Sequence, residues 1–560
     1  MTIGRAETIL LMMILISGAS SLGQATTVLL AGASAVPITP YGKNSDWEGA
    51  ITASGVWGES FTDNNHNGRW DPGEPFVDDV RNSALDPISR GKYDGIFLAG
   101  FGNDRIATGK RDDLWARALV LDSGKTRIAI VSLDFIGYYQ NAGYYGIEHA
   151  QELLDPKLGI QEIILSSTHS HEGPDTIGLW GNSPVSGGTF PLYLRFVDRQ
   201  IARAVTLAAQ AVVPVRMKLG ATNPQSSPAL AGMQTRTDGR PPRFFDEELR
   251  AMQFVATDGP EKGKAVATLI NWNTHPESME DENTVLTSDF PGAVREAIEK
   301  RYGGTAIYVS GDLGAVEIVG DNDRSSRTNF DGKTFPVVKD NKAATFTFAR
   351  TEAIGREVAK AAVEAIEKGE WSAAPTISIQ KRELRVPMDN MGYQFLIAKG
   401  VLGRLPGFDA AGGPQAVSTV YAVRLGEAQI ITVPGELFPE IYYGVAKHRR
   451  EDCPKADTGR SAEPPVRDFM DAKYRFVFGL SPDEFGYFVP GYDFHAPSFD
   501  PEKGLHESKD ACAVVPDHYH ETNSASSKLA PAWACTAIEL LGGKTDEFPA
   551  CARPETQTRH

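Results

Sequence analysis

Two histidines one residue apart offer the first chemistry in this chain. In Thr168-His169-Ser170-His171-Glu172-Gly173-Pro174, a His-x-His pair follows the apolar, β-branched run Ile163-Ile164-Leu165 and leads into a glycine/proline loop. A strand ending this way can deliver ligands into a cleft, and neutral imidazole is the commonest metal-ligating side chain. Side-chain alternation at the strand end is expected to separate the pair, one ring binding metal while the other serves a different task. The same construction recurs twice. A buried strand over 265–270 runs into Asn271-Trp272-Asn273-Thr274-His275-Pro276-Glu277, and another over 429–433 runs into Pro434-Gly435-Glu436, followed by a helix-like stretch over 437–448. Two histidines and one carboxylate with an open position make a common ligand set for hydrolytic zinc, and the C-terminal ends of strands are where α/β proteins build their sites.

Several further polar residues sit near these strand ends. Asp134, Asp289 and Asp312 each follow a strand, where a carboxylate can orient a ligand histidine or cap a helix or turn. Asp517-His518-Tyr519-His520-Glu521 is a rival cluster of metal-capable side chains, but no clear strand precedes it. Apolar residues at helical spacing, Leu194, Val197, Ile201, Ala204 and Ala208, predict an amphipathic helix over 192–211. Ser288 and Asp289 cap a second helix running towards Lys300, and 351–368 reads as a third. Strands alternate with helices, so the expected fold class is α/β (α+β), with mixed β-sheets flanked by helices and the metal site at strand C-terminal ends. The segments 224–243 and 452–467 read as loops, the first as a rim of the cleft.

A second metal signal lies in Asp63-x-Asn65-x-Asn67-Gly68-x-x-Asp71-x-x-Glu74, the spacing of a twelve-residue calcium loop. Asp63, Asn65, Asn67, Asp71, Glu74 and the Arg69 carbonyl supply oxygen donors, while Pro72 and Pro75 exclude the flanking helices of an EF-hand. Calcium here would stabilise the fold rather than do chemistry. The chain has 560 residues, a formal charge of −16 and 41% hydrophobic residues. That balance argues against nucleic acid or an anionic membrane surface as a partner. Arg5 precedes the apolar run 9–16, and Gly23-Gln24-Ala25 offers small residues for cleavage, so 1–25 reads as a secretory signal, with the protein secreted or periplasmic and no stable membrane span. Cys453, Cys512, Cys535 and Cys551 all lie in the C-terminal part, 450–560. An even count in an exported protein favours two disulfides; of three possible pairings, Cys453 with Cys512 and Cys535 with Cys551 is preferred.

Taken in order, Ala31-Gly32-Ala33, Ile38-Thr39-Pro40, Leu114-Trp115-Ala116-Arg117-Ala118, Val131-Ser132-Leu133-Asp134, the Thr-His-x-His-x-Gly-Pro segment, the Trp-x-x-His segment, Gly311-Asp312 and Pro434-Gly435-Glu436 resemble the neutral/alkaline non-lysosomal ceramidases. The resemblance spans roughly residues 30 to 535. It implies a catalytic zinc held by His169, His275, Glu436 and Tyr487, and hydrolysis of an N-acyl amide such as ceramide by a zinc-activated water, with a small amphipathic lipid or amide as substrate. It also implies Arg236 as a substrate-contacting, oxyanion-stabilising group and Tyr519 near the metal; His171, two residues beyond the proposed ligand His169, is expected as general acid/base. Two departures stand out. The family's Gly-Asp-Val-Ser-Pro is Gly311-Asp312-Leu313-Gly314-Ala315 here, which removes a serine and predicts poor ceramide turnover that Gly314→Ser would raise if the pocket has room. The family's C-terminal immunoglobulin-like domain is not expected, so 26–560 reads as one catalytic domain. A zinc hydrolase acting on another amide or ester, or a noncatalytic secreted binding protein, are the alternatives.

Overall fold

The computed structural model describes residues 28–40, 62, 64, 75, 96–222, 236–240, 244–318, 347–372, 376–404, 406–446, 461–500, 504–506 and 518–551. Asp63, Asn65, Asn67, Arg69, Asp71 and Glu74, the signal segment, and Cys453 and Cys512 lie outside these residues.

Eight strands form the principal sheet: β1 (Leu30–Pro37), β2 (Trp115–Asp122), β3 (Arg127–Leu133), β4 (Glu162–Ser167), β5 (Val213–Thr222), β6 (Leu249–Ala256), β7 (Ala265–Trp272) and β8 (Thr305–Ser310). Their order is β8-β7-β6-β5-β1-β2-β3-β4, with Glu370–Trp371 added beside β5. Among the described residues, strand pairing joins its halves only where Leu30 and Ala31 pair with Pro214 and Val213. A second sheet contains β9 (Ile377–Pro387), β10 (Pro414–Leu425), β11 (Ala428–Thr432) and β12 (Tyr474–Phe478), in that order.

Period-two burial explains how these pieces stack. One face of β2 and β3, through Leu119, Leu121, Ile128 and Ile130, shares a core with Met217, Leu219, Phe254, Leu269 and Ile307 of the other half and with Val423, Ile430 and Phe476 of the second sheet. The opposite faces are each covered by helix. Helix α1 (Pro191–Gln210), begun by a proline at its first turn, lays Leu194, Val197, Ile201 and Ala204 on Ala118, Val120 and Val131. Helices α2 (Asp289–Tyr302) and α3 (Phe348–Lys368) cover β6 to β8. Helix α4 (Leu529–Leu540) covers the second sheet, its Trp533 Nε1–H donating to the Thr432 carbonyl at 2.9 Å. The α/β class with helix-flanked mixed sheets, and the three long helices expected from periodicity, are therefore present. The helix expected over 437–448 is only Pro439–Tyr443, because Gly444 turns left-handed at φ 68° and stops it. Cys535 and Cys551 form a disulfide, one of the two expected pairings.

Most neighbouring strands are antiparallel, but each sheet unit contains one parallel pair: β3 with β4, β7 with β8, and β11 with β12. These pairs converge at their C-terminal ends. The Ser167 amide donates to the Leu480 carbonyl, the Gly479 amide to the Ser310 carbonyl, and the Ser310 hydroxyl to the Thr168 carbonyl at 2.7 Å. The Asn271 side-chain amide donates to both the Val309 and Val477 carbonyls. Small polar residues thus satisfy backbone groups that would otherwise be buried without partners where three strand pairs collide. All six loops leaving those strand ends start from one junction.

Candidate metal centre

His169, His275 and Glu436 come from the three different parallel pairs and meet at the junction. His169 sits at φ 68°, a left-handed conformation that costs a residue with a side chain about 1–3 kcal/mol. Hydrogen bonds from Thr168 N–H to the Leu133 carbonyl and from His169 N–H to the Phe135 carbonyl hold it there. Its Nδ1 lies 2.6 Å from the Ile136 carbonyl, and Nδ1 of His275 lies 2.9 Å from the Val316 carbonyl. A carbonyl only accepts, so both Nδ1 atoms carry protons and both Nε2 atoms face inward. Those Nε2 atoms lie 3.2 Å and 3.0 Å from the same oxygen, Oε2 of Glu436.

Two imidazole nitrogens facing one carboxylate oxygen need a cation at the contact, a proton or a metal ion; without a metal, burial works against the charge but the Glu436 hydrogen bond outweighs it and raises His275 to about 9. Burial works to raise the Glu436 carboxyl, but the facing imidazoles outweigh it and hold the group at about 2, an anion at neutral pH. Glu436 lies on a two-residue strand, Glu436–Leu437, that pairs in parallel with Tyr487–Phe488, setting Glu436 opposite Tyr487. The Tyr487 ring stands 6.3 Å from that of His275, centroid to centroid. His169, His275 and Glu436 thus meet at one point, with the Tyr487 ring beside them.

His171 is not separated from this group as the alternation argument expects. The strand ends at Ser167 and His169 leaves extended geometry at φ 68°, so strand alternation does not govern the pair, whose ring centroids stand 4.9 Å apart. The nitrogens of His169, His171 and His275 lie within 4.8 Å of one another, a cluster able to hold a metal ion. Nδ1 of His171 is 3.6 Å from Oε2 of Glu277, whose Oε1 accepts the Ile318 amide. Burial, reinforced by the neighbouring histidines, pushes the His171 pKa well below the usual imidazole value, so the ring is neutral.

A cleft opens beside the cluster. His169, His171, Glu436, Tyr487 and Tyr519 form its polar floor, and Ile136, Ile177, Leu179, Trp180 and Leu402 its apolar wall. The Tyr519 ring contacts that of Tyr487 at 6.0 Å. Arg236 is not among the lining residues. Its guanidinium is buried between the Phe245 and Trp272 rings, 5.0 Å from each, and donates to Oδ1 of Asn273 at 3.1 Å. Burial lowers its pKa to about 10, which leaves it charged. Asp134 forms a two-pronged pair with Arg295, Asp289 accepts from Ser278, and Asp312 accepts from Asn273. Backbone carbonyls, not these acids, take the ligand histidines' Nδ1 protons. Of the rival cluster, Glu521 is paired with Arg240 and with His518, while the His520 ring stands 4.7 Å from that of Tyr487 beside the cleft.

Sequence reasoning passed over Glu277 and Glu484. Glu277 follows His275 by two residues, and that adjacency was its signal. Glu484 lines the cleft; burial, then the charge of Glu436, raises its carboxyl well above the ordinary range.

Gly314 explains its own identity. Its amide donates to the Leu437 carbonyl at 2.8 Å, and a Cβ there would stand 2.5 Å from the Glu436 carbonyl oxygen. The expectation that a serine could be restored there is overturned, because the backbone of the Glu436 strand fills the space. We expect Gly314→Ser to lower stability by about 1–3 kcal/mol through overpacking and to weaken zinc binding by displacing Glu436. Denaturant midpoints and zinc titrations check this; a variant matching wild type in both would show that the two segments can part without cost.

Comparison with known proteins agrees with this geometry. The family model for neutral/alkaline non-lysosomal ceramidase, N-terminal, matches residues 90–313, which include all three clustered histidines. The neutral ceramidase of Pseudomonas aeruginosa is similar in structure with a TM-score of 0.57 at 14% identity, covering 92% of this chain and 74% of that one. A ceramidase complexed with C2 gives a TM-score of 0.54 at 13% identity, covering 92% of this chain and 75% of its own. The family resemblance read from the motifs is borne out, and the fold is the one these structures share. Among the described residues, no helix is long and apolar enough to cross a membrane.

Proposed function

From the premise of a ceramidase-type hydrolase, we propose that this protein is an exported, zinc-dependent amidohydrolase that cleaves an N-acyl amide of an amphipathic lipid. His169, His275, Glu436 and Tyr487 would hold the ion. Zinc bound there supplies Lewis-acid polarisation of the scissile carbonyl and a nucleophile at neutral pH. The observation that carries the reading is the convergence of two Nε2 atoms on one Glu436 oxygen with both Nδ1 atoms already committed.

The chain's own residues divide the remaining work. Neutral His171 takes the proton released on attack and returns it to the leaving amine nitrogen, with Glu277 3.6 Å from its Nδ1. The wall of Ile136, Ile177, Leu179, Trp180 and Leu402 excludes water and receives the acyl chain. Tyr519, at the rim beside Tyr487, contacts substrate next to the metal. Arg236 works from behind, its part being to fix Asn273 two residues from His275. Residues 26–560 are read as one catalytic domain following a leader at 1–25, with the loop 63–74 binding calcium for stability.

A panel of N-acyl amides and esters, assayed with and without chelator and after zinc return, tests the reading. Hydrolysis of a long-chain N-acyl amide that chelation abolishes and zinc restores is expected. Chelator-insensitive turnover would sink it. A second reading, a zinc hydrolase of a different amide or ester, is favoured by one observation: the Glu436 backbone leaves no room for a hydroxyl at Gly314. Under that reading the same panel shows esters or shorter amides outrunning ceramide.

A further inference from the structure

The cleft contains one buried carboxyl oxygen that neither the metal cluster nor the rest of the described protein uses. Glu484 is 5% exposed and lines the cleft together with His169, Glu436 and Tyr487. Its Oε1 accepts the Gly486 amide at 2.7 Å, which fixes the side chain. Its Oε2 is buried and has no hydrogen-bond partner among the described residues. The neighbouring cation does not serve it, because Arg404 is paired with Asp483 and with the Val417 carbonyl. On the other side, the chain at Gly137 passes so close that a Cβ there would lie 2.8 Å from Cγ of Glu484. The carboxyl is therefore held rigidly at the cleft wall with one acceptor left over.

A buried acceptor without a partner costs about 1–3 kcal/mol, and a bound donor recovers it. On the reading of this cleft as the substrate site, we propose that Glu484 is a specificity-determining residue whose Oε2 forms a hydrogen bond with a hydroxyl or ammonium group on the amine portion of the substrate. An apolar wall takes the acyl chain, and Glu484 demands a donor on the part that leaves. A substrate lacking that donor leaves the carboxyl unpaired in the closed cleft, and a site built around a polar partner rejects such an analogue more strongly than an apolar pocket rejects a misfit.

Three matched probes decide it: the N-acyl ethanolamine, the N-acyl ethylenediamine in its ammonium form, and the N-acyl propylamine, all of one acyl length. Binding to the zinc-loaded full chain is measured by calorimetry and hydrolysis by product release. Wild type is expected to favour at least one donor-bearing probe over the propylamide by about 10- to 100-fold. Glu484→Leu should erase that ratio. Glu484→Gln keeps the side-chain shape but, with its amide oxygen held by the Gly486 N–H, turns an NH2 donor to the cleft; it should retain the preference for the hydroxyl probe, whose oxygen can accept, and lose it for the ammonium probe, which cannot, so the pair of variants tells the two groups apart. A binding ratio unchanged in Glu484→Leu, or no binding of any probe to wild type, overturns the proposal. A ratio that shifts while no probe is hydrolysed upholds Glu484 and counts against the hydrolase reading instead.

Discussion

Replacing His169 or His275 by alanine is expected to reduce bound zinc from about one ion per chain to a trace, and to lower N-acyl amide hydrolysis by on the order of 10³-fold, since loss of the metal removes several kcal/mol of transition-state stabilisation. The variants should stay folded. Neither imidazole lies within the large apolar clusters, and each contributes one hydrogen bond to a backbone carbonyl, the Ile136 carbonyl for His169 and the Val316 carbonyl for His275. Metal analysis of the purified variants with far-ultraviolet circular dichroism measures both halves. Stoichiometric zinc in both variants would move the metal site elsewhere in the chain.

Arg240→Met should give the largest loss of stability. Arg240 is 3% exposed and bridges Asp493, at 2.9 Å, and Glu521, tying the segment beside the metal centre to the helix that carries Tyr519. Removing one member of a buried ion network leaves uncompensated charge and costs about 3–5 kcal/mol. The pH dependence has a definite sign. Burial works to raise the Glu521 carboxyl, but Arg240 outweighs it and holds the group at about 2 against an ordinary 4.5. Its contribution is therefore complete above about pH 4.5 and lost as pH falls towards 2. In Arg240→Met the two carboxylates have lost that partner and gain by protonation, so the gap to wild type should narrow from pH 7.5 to pH 4. Denaturant unfolding at the two pH values reads it out. A gap below about 1 kcal/mol at pH 7.5, or one independent of pH, would contradict the network.

What could be read from the sequence divides along the range of the interactions. Helices α1 to α3 were legible because an apolar stripe at helical spacing is a local signal, and so were the strands preceding His169, His275 and Glu436. The ligands themselves were legible because each follows directly on its strand. His171 was misplaced because side-chain alternation holds only along a strand, and the strand ends at Ser167 before His169 turns left-handed. Arg240 and Arg236 were assigned to a rim loop by composition, yet both are buried, because their partners Glu521 and Asn273 come from remote parts of the chain. The same holds for Glu484, whose importance rests on a missing partner, and no linear pattern encodes that. Gly314 could be seen only as a departure from a motif until the Glu436 carbonyl was found where its side chain would be.

The convergence of three parallel strand pairs also fixes when the metal can enter. His275 and Glu436 are 161 residues apart in the chain, and neither shares a strand pair with His169. Closing loops of that length for a single ion has a large entropic cost, so an unfolded chain offers zinc no preassembled trio. The long-range pairings that build the junction must form first, and they set the pace of folding. An ion held there would act as a rivet rather than a nucleus: it is expected to leave the refolding rate unchanged and to slow unfolding, because its ligands come together only on the native side of the barrier.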